Sequence, residues 1–246
     1  MYRYQILIEY IGTNFIGWQI QSKGRSIQKF IQNRLNKILK EKVSLFGSGR
    51  TDTGVHAIEQ SAHFNCIREI QNLNKFLKTI NHFVNKKGVS ILSIKKKNSN
   101  FHARFSAKQR IYKYVIFNRL SKPSLDKERG WHITKKLNVH LMKMGAKKLL
   151  GTKDFSTFRS SNCNSKSPIK TIKSIKIKSV KGKIEIQFKS QSFLQQQVRS
   201  MVGCLKYLAE KKWSLKKFNS VFKSKERTLC APPAPAEGLF LEKVIY

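Results

Sequence analysis

The sequence has few acidic residues. Its 246 residues include 13 Asp and Glu against 50 Lys and Arg, which gives a formal net charge of +37. Only three are aspartates (Asp52, Asp126 and Asp154), so a two-metal site built on clustered carboxylates is hard to assemble. A positive excess of this size indicates a polyanionic partner, above all nucleic acid. The lysine-heavy codon bias of an AT-rich genome is an alternative source of part of the charge.

Cysteines and long apolar runs are equally scarce. The four cysteines (Cys66, Cys163, Cys204 and Cys230) form no CxxC pair, which argues against a zinc site or a disulfide framework and fits a reducing cytoplasm. No run approaches the roughly 18 apolar residues of a membrane span. Residues 2–10 alternate polar and apolar side chains instead of forming a signal-peptide core. We therefore expect a soluble, cytoplasmic protein with no membrane partner.

Nucleotide-binding motifs are absent as well. No GxxxxGK[ST] occurs, and the glycine-rich segment 47–54 has Asp52 where a dinucleotide fingerprint needs its third glycine. A methyltransferase, the weakest of the alternatives, lacks a glycine-rich cofactor loop after its first strand.

Apolar periodicity predicts an α+β fold with two domains, residues 1–105 and 106–246. Short connections between neighbouring strands favour antiparallel pairing. Strands are predicted over residues 2–10, 43–46, 58–65, 88–94, 109–118, 169–180, 183–189 and 238–246. Helices are predicted after Ser26, around residues 70–80, after Asn138, over residues 194–208 and after Ser214. Residues Lys181 and Gly182 are predicted to turn a hairpin.

Asp52 is the most informative single residue. It is the only carboxylate between Glu41 and Glu59, and it lies two residues from Arg50 in a turn where glycines permit close approach of a ligand. A lone acid on a basic surface repels phosphate, so its presence favours covalent or acid–base chemistry. The alternative is structural: Asp52 caps the turn and pairs with Arg50.

The surrounding segment, GRTDTGVHA at residues 49–57, closely resembles the GRTDAGVHA signature of the tRNA pseudouridine synthase A family. Five further segments resemble family motifs in the same order along the chain. They are Tyr10 and Gly12 followed by GWQ at 17–19, FHARFSA at 101–107, RIYKY at 110–114, FLQQQVR at 193–199 and PAEGL at 235–239. Three departures occur: Thr53 replaces an alanine, Gln197 replaces a methionine, and residues 81–88 have drifted from the family's NxNLP, which leaves their backbone path open.

The resemblance implies an isomerase that converts uridine to pseudouridine at positions 38, 39 and 40 of the tRNA anticodon stem-loop. By the same resemblance, Asp52 matches the catalytic aspartate, Tyr112 stacks on the extracted base, and Arg50 and Arg199 match active-site arginines. On its own, an aromatic residue in a strand such as Tyr112 is more typical of a core. His56 is interpreted as structural, and His102 and Arg104 as structural or RNA-facing.

The family also implies a fold and partners. Two domains around antiparallel sheets are expected, with the active site in a cleft between them. A homodimer is expected, in which one tRNA contacts both subunits, with no metal, organic cofactor or DNA. The alternative is a non-catalytic, basic RNA-binding protein on the same scaffold, which rests on the charge and the drifted segment.

Overall fold

The structure is a computed structural model that describes all residues from Met1 to Tyr246. The chain forms two compact units, which we call unit 1 (residues 1–108 and 241–246) and unit 2 (residues 109–240). This division differs from a single boundary after residue 105, because the last six residues of the chain belong to unit 1. A sequence divided at a single point assigns its last strand to the second domain, although here the end of the chain returns to the first.

Unit 1 is built on an antiparallel sheet. Its strands are β1 (Tyr2–Tyr10), β2 (Leu45–Gly47), β3 (His56–Cys66) and β4 (Val89–Lys97). Strand β1 lies between β4 and β3, and β2 pairs with β3. Ile6 stands opposite both Ala62 and Ile94, so the apolar face predicted for β1 is the face that becomes buried.

Two helices complete this unit, α1 (Ile27–Leu39) and α2 (Leu73–Val84). Each begins at a polar cap: Ser26 Oγ accepts the Lys29 amide at 3.3 Å, and Asn72 Oδ1 accepts the Lys75 amide at 2.8 Å. The buried side of α1 carries apolar residues three or four positions apart, which are Ile27, Phe30, Ile31 and Leu35.

The drifted segment 81–88 follows a well-defined path. Helix α2 ends at Val84, a 3-10 turn covers Asn85–Lys87, and Gly88 takes a positive φ of 71°. The Asn81 side chain exchanges two 2.8 Å hydrogen bonds with the Ile91 backbone. Although the sequence here departs from the family motif, these contacts fix the first residues of β4, which begins at Val89.

The strands of unit 2 are also mainly antiparallel. They are β5 (Gln109–Phe117), β6 (Trp131–His132), β7 (Gly151–Asp154), β8 (Ile169–Val180) and β9 (Lys183–Ser190). The order is β5-β9-β8-β7, and the short β6 runs parallel to β5. Lys181 and Gly182 have φ values of 45° and 74°, which is the geometry of a type I′ hairpin turn. The predicted hairpin is therefore confirmed, whereas β6 and β7 were too short to show a period.

The helices of unit 2 are α3 (Val139–Lys148), α4 (Gln197–Ala209) and α5 (Leu215–Ser224). Asn138 and Ser214 cap α3 and α5 as predicted. Helix α4 begins three residues later than the apolar spacing from Leu194 indicates, because Gln196 takes a left-handed φ of 61°. None of the five α-helices is long and apolar enough to cross a lipid bilayer.

The last strand, β10 (Leu239–Ile245), lies beside β3 in unit 1. At the end of the chain the Tyr246 hydroxyl donates to the Ala103 carbonyl at 2.8 Å and forms a second hydrogen bond, 2.7 Å long, with the Ser61 hydroxyl. Mixed helices and mostly antiparallel strands confirm the predicted α+β class.

Candidate active site

Asp52 lies in a tight turn at the edge of unit 1. The Val55 amide donates to the Asp52 carbonyl at 3.1 Å, which closes a four-residue β-turn. Its third residue, Gly54, has a φ of 79°, a value that a type II turn requires and that side chains disfavour. Thr53, the departure from the family's alanine, is exposed at the second position and has room for its side chain.

The Thr51 backbone and side chain are held on both sides. The Tyr10 hydroxyl and Thr51 Oγ1 are 2.8 Å apart, and the Trp18 amide donates to the Thr51 carbonyl at 3.1 Å. Gly17 lies so close beneath that a Cβ there would stand 2.5 Å from the Thr51 carbonyl oxygen and 3.1 Å from the Asp52 carbonyl carbon. The Y-x-G and GWQ segments therefore pack against the backbone of the Asp52 turn and hold it in place.

A second contact anchors the far side of the same turn. His56 is buried, and its Nδ1 accepts the Gly12 amide at 3.0 Å. A Cβ on Gly12 would come within 2.0 Å of the Val55 carbonyl oxygen, so only glycine permits this approach. The structural interpretation of His56 agrees with its burial and its bond to the backbone.

The approach to the turn from β2 is fixed by a buried polar network. Ser48 Oγ donates to Gln60 Oε1 at 2.6 Å, and Gln60 Nε2 donates to the Gly49 carbonyl at 2.9 Å. Gly47 packs against Trp18, where a Cβ would meet the indole Nε1 at 2.5 Å. Because buried polar groups with satisfied partners rigidify their surroundings, the backbone from Gly47 to Val55 has little freedom.

Asp52 itself is partly exposed, and Arg50 is exposed two residues earlier. The loop held by these contacts therefore carries a carboxylate and a guanidinium that solvent can reach.

The other two predicted site residues belong to unit 2. Tyr112 lies on β5 opposite Phe188 of β9, and its ring packs edge-on against Phe193 with centroids 5.2 Å apart. It is 8% exposed, so its environment resembles that of a core aromatic. Its contact with a substrate base stays a prediction.

Arg199 lies in the first turn of α4 and is bound to a proline-rich segment. Its Nε donates to the Ala234 carbonyl at 2.7 Å, while the Ala234 amide donates to the Arg199 carbonyl at 3.0 Å. One turn on, a Cβ at Gly203 would lie 2.1 Å from the Pro232 carbonyl oxygen, so the helix and this segment touch backbone to backbone. The orientation of Arg199 therefore depends on residues 232–234.

The PAEGL segment has a structural role in the same unit. A Cβ at Gly238 would fall 2.5 Å from the ring of Tyr114, whose hydroxyl donates to the Pro235 carbonyl at 2.8 Å. Tyr114 stands two residues after Tyr112 on β5. This contact joins two segments far apart in sequence, RIYKY and PAEGL.

Gln197, the second departure from the family, is completely buried at the start of α4. Its Oε1 accepts the Leu194 amide at 2.8 Å, whereas its Nε2 has no hydrogen-bond partner. A methionine lacks this amide oxygen, so the replacement adds a hydrogen bond to the backbone just before α4.

No group of three or more His, Cys, Asp or Glu side chains in the chain is arranged to hold a metal ion. The family resemblance pointed to Asp52, Arg50, Tyr112 and Arg199 but gave no role to the supporting residues. Those residues are Tyr10, Gly12, Gly17, Trp18 and Gln60. For the first four, the available signal was their position within the family-like motifs, without a physical reason for it. Gln60 lies outside those motifs.

Comparisons with known proteins find relatives that match this chain over its whole length. The family profile described as tRNA pseudouridine synthase matches residues 6–106 and 146–246. The chain is 78% identical over all 246 residues to tRNA pseudouridine synthase A of Pelagibacter ubique (strain HTCC1062), and the match covers 100% of both proteins. It is 41% identical over its whole length to tRNA pseudouridine synthase A of Paramagnetospirillum magneticum (strain ATCC 700264 / AMB-1), covering 96% of that protein.

A solved structure, that of a Cbf5–Nop10–Gar1 complex, is similar over 82% of this chain and 53% of that chain, with 11% identity and a TM-score of 0.34. The full-length matches at high identity decide the assignment. The chain belongs to the tRNA pseudouridine synthase A family and is an isomerase of the pseudouridine synthase class.

Proposed function

We propose that the chain isomerises uridine to pseudouridine at positions 38, 39 and 40 in the anticodon stem-loop of tRNA, with Asp52 as the catalytic nucleophile. The observation that carries the proposal is the position of Asp52, partly exposed on a turn whose backbone is held by Tyr10, Gly17 and Trp18. A reacting group has to be held to within a fraction of an ångström, and a rigid turn supplies that constraint.

The reaction suits a site with one carboxylate. The bond between uracil N1 and ribose C1′ breaks, and a bond between uracil C5 and C1′ forms. The hydrogen on C5 leaves as a proton to solvent and N1 takes up a proton, so no water is consumed. Glycosidases that hydrolyse their substrates use a pair of carboxylates, one of them to handle water or the leaving group. Asp52 has no second acid between Glu41 and Glu59 in sequence, which fits an isomerisation.

The remaining predicted residues take supporting roles in the proposal. Arg50, exposed beside Asp52, contacts the RNA backbone at the target nucleotide. Arg199, oriented by the Ala234 carbonyl, takes the place of an active-site arginine of the family. Tyr112 stacks on the uracil after it leaves the helical stack, which costs a few kcal/mol.

The charge of the chain supports tRNA as the substrate. At +37, the protein attracts polyanions, and each phosphate that a lysine or arginine neutralises makes binding more sensitive to salt. The proposal includes a cytoplasmic homodimer in which both subunits contact one tRNA. Sedimentation of the protein with and without tRNA tests that part independently.

The experiment measures tritium released from tRNA transcripts labelled at C5 of uridine. Wild-type protein is expected to release it, whereas Asp52→Ala and the nearly isosteric Asp52→Asn release none and bind tRNA within several-fold of wild type. Asp126→Asn, which changes another exposed aspartate, is the control and keeps full activity. Release by either Asp52 variant contradicts the assignment of the nucleophile. No release by the wild type leaves a non-catalytic RNA-binding protein.

A further inference from the structure

Four rings in unit 1 form a continuous cluster outside the Asp52 turn, which we call the aromatic patch: Phe46, His63, His102 and Phe105. Phe46 stacks on His63 with centroids 5.2 Å apart, and His63 meets His102 edge-on at 4.6 Å. His102 in turn lies 4.4 Å from Phe105. The patch therefore runs from β2, the strand that leads into the catalytic turn, to the loop after β4.

The loop that carries Phe105 is rigid. His102 Nδ1 accepts the amides of Arg104 at 3.1 Å and Phe105 at 3.4 Å, and the His102 amide donates to Ser106 Oγ at 2.9 Å. The Ala103 amide donates to His63 Nδ1 at 3.2 Å, which ties the loop to β3. Because Nδ1 of His63 and Nδ1 of His102 each accept a hydrogen bond, neither nitrogen carries a proton, and both histidines are neutral in the folded protein.

The outer face of the patch is open. Phe105 is 77% exposed and Phe46 is 45% exposed. Exposed aromatic rings that form one continuous cluster, instead of being scattered singly, indicate a binding surface. Phe105 presents a flat surface whose orientation the loop fixes in advance, which lowers the entropy cost of binding.

Cations surround these rings. The Arg104 guanidinium carbon lies 5.7 Å from the Phe105 centroid, and Lys97 Nζ lies 5.2 Å from the centroid of the neighbouring Phe101. Arg3 donates to the Phe101 carbonyl at 2.7 Å. Aromatic faces flanked by positive charge are the arrangement that binds single-stranded nucleic acid, since the base stacks and the phosphates meet the cations. A second copy of the chain would bring the same cations, Arg3, Lys97 and Arg104, against this surface.

We propose that the aromatic patch is a binding site for an unpaired base of the RNA substrate, which stacks on Phe105 while Arg104 contacts an adjoining phosphate. The inference rests on the proposed function only in that the substrate is RNA. It adds a contact outside the residues assigned to catalysis.

The test compares Phe105→Leu with Phe105→Tyr by fluorescence anisotropy on an unmodified tRNA transcript at fixed salt. Leucine keeps apolar area but cannot stack, so affinity is expected to fall about tenfold, whereas tyrosine stays within twofold of wild type. Phe83→Leu, a change of another exposed phenylalanine, leaves affinity unchanged. Arg104→Ser is expected to lower the slope of log K against log salt by about 1.

Equal tRNA affinity of Phe105→Leu and wild type overturns the proposal. A change in sedimentation of Phe105→Leu without RNA also overturns it, because the patch then joins two copies of the chain. Tritium release by the wild type separates the two claims. If the wild type is inactive and Phe105→Leu still binds tRNA about tenfold more weakly, the isomerase assignment fails and the base-binding site stands.

Discussion

Gly17 packs against the Thr51 carbonyl so closely that no other residue fits. A Cβ at position 17 would stand 2.5 Å from that oxygen, and the φ of Gly17 is 97°, which side chains rarely adopt. The two residues are far apart in sequence, yet their contact fixes the backbone immediately before Asp52. Under the proposed function, the GWQ motif therefore acts on catalysis through the position of the turn.

We expect Gly17→Ala to lower pseudouridine formation about 100-fold, because displacement of a catalytic group by about 1 Å has an effect of that size. Binding of tRNA is expected to change less than activity. The measurement is tritium release with tRNA affinity determined in parallel. Gly151→Ala is the matched control: Gly151 also has a positive φ, 91°, but a Cβ there meets nothing within 4 Å. Equal loss of activity in both variants would attribute the effect to backbone strain alone.

Arg199→Lys tests whether the guanidinium geometry matters beyond its charge. The arginine donates from Nε to the Ala234 carbonyl and still has further N–H donors in a fixed plane. Lysine keeps the positive charge but lacks this planar set of donors. Activity is expected to fall at least about tenfold, with tRNA affinity within several-fold of wild type. Arg129→Lys, at an exposed site of unit 2, serves as the control. Full activity of Arg199→Lys would show that charge alone suffices.

Stability should depend on pH through His63. Burial, helped by the nearby His102 and Arg3, lowers the pKa of His63 from 6.5 to about 4. Between these two values the unfolded chain binds a proton that the folded chain resists, so the free energy of unfolding falls as the pH is lowered, by on the order of 3 kcal/mol for this residue. The pKa of His102 is also lowered, first by burial, and acts in the same direction.

Urea denaturation between pH 7 and pH 4 measures this effect. His63→Gln removes the titrating group and is expected to flatten the pH dependence, although it lowers stability at pH 7. His140→Gln, at an exposed site on α3, leaves the dependence as in the wild type. An unchanged slope in His63→Gln would show that other groups control acid unfolding.

Cys204 and Cys230 are placed to react with one another. Their sulfurs are 3.5 Å apart, and the hydrogen bond from the Cys204 thiol, together with Arg227, lowers the pKa of Cys230. Because the thiolate is the reactive form, we expect diamide to take two hydrogens from this pair and leave a disulfide. Peptide mass spectrometry identifies the product. The Cys230→Ser variant is the control, because it cannot form this disulfide. Cross-linking of Cys66 or Cys163 at the same rate would contradict the assignment.

Much of the fold could be predicted from the sequence because the main elements have a clear period or cap. Alternating side chains in β1 and the caps at Asn138 and Ser214 are local signals that burial then reinforces. Two-residue and four-residue strands such as β6 and β7 show no period, and their pairing depends on distant partners. The start of α4 was misplaced because a left-handed residue, Gln196, interrupts an otherwise helical spacing.

The site was only partly predictable for the same reason. Asp52 is conspicuous because it is a lone acid among cations and glycines, and this pattern lies within a few residues of the sequence. The roles of Gly12, Gly17 and Trp18 depend on contacts with residues more than 30 positions away, which no spacing rule reveals. The packing of Gly238 on Tyr114 is likewise visible only in three dimensions.

Mapping pseudouridine in tRNA treated with purified protein tests the central claim most directly. Wild-type protein is expected to produce pseudouridine at positions 38, 39 and 40 and nowhere else in an unmodified transcript, and Asp52→Asn to produce none. Modification outside the anticodon stem-loop, or at these positions by the Asp52→Asn protein, would contradict the account.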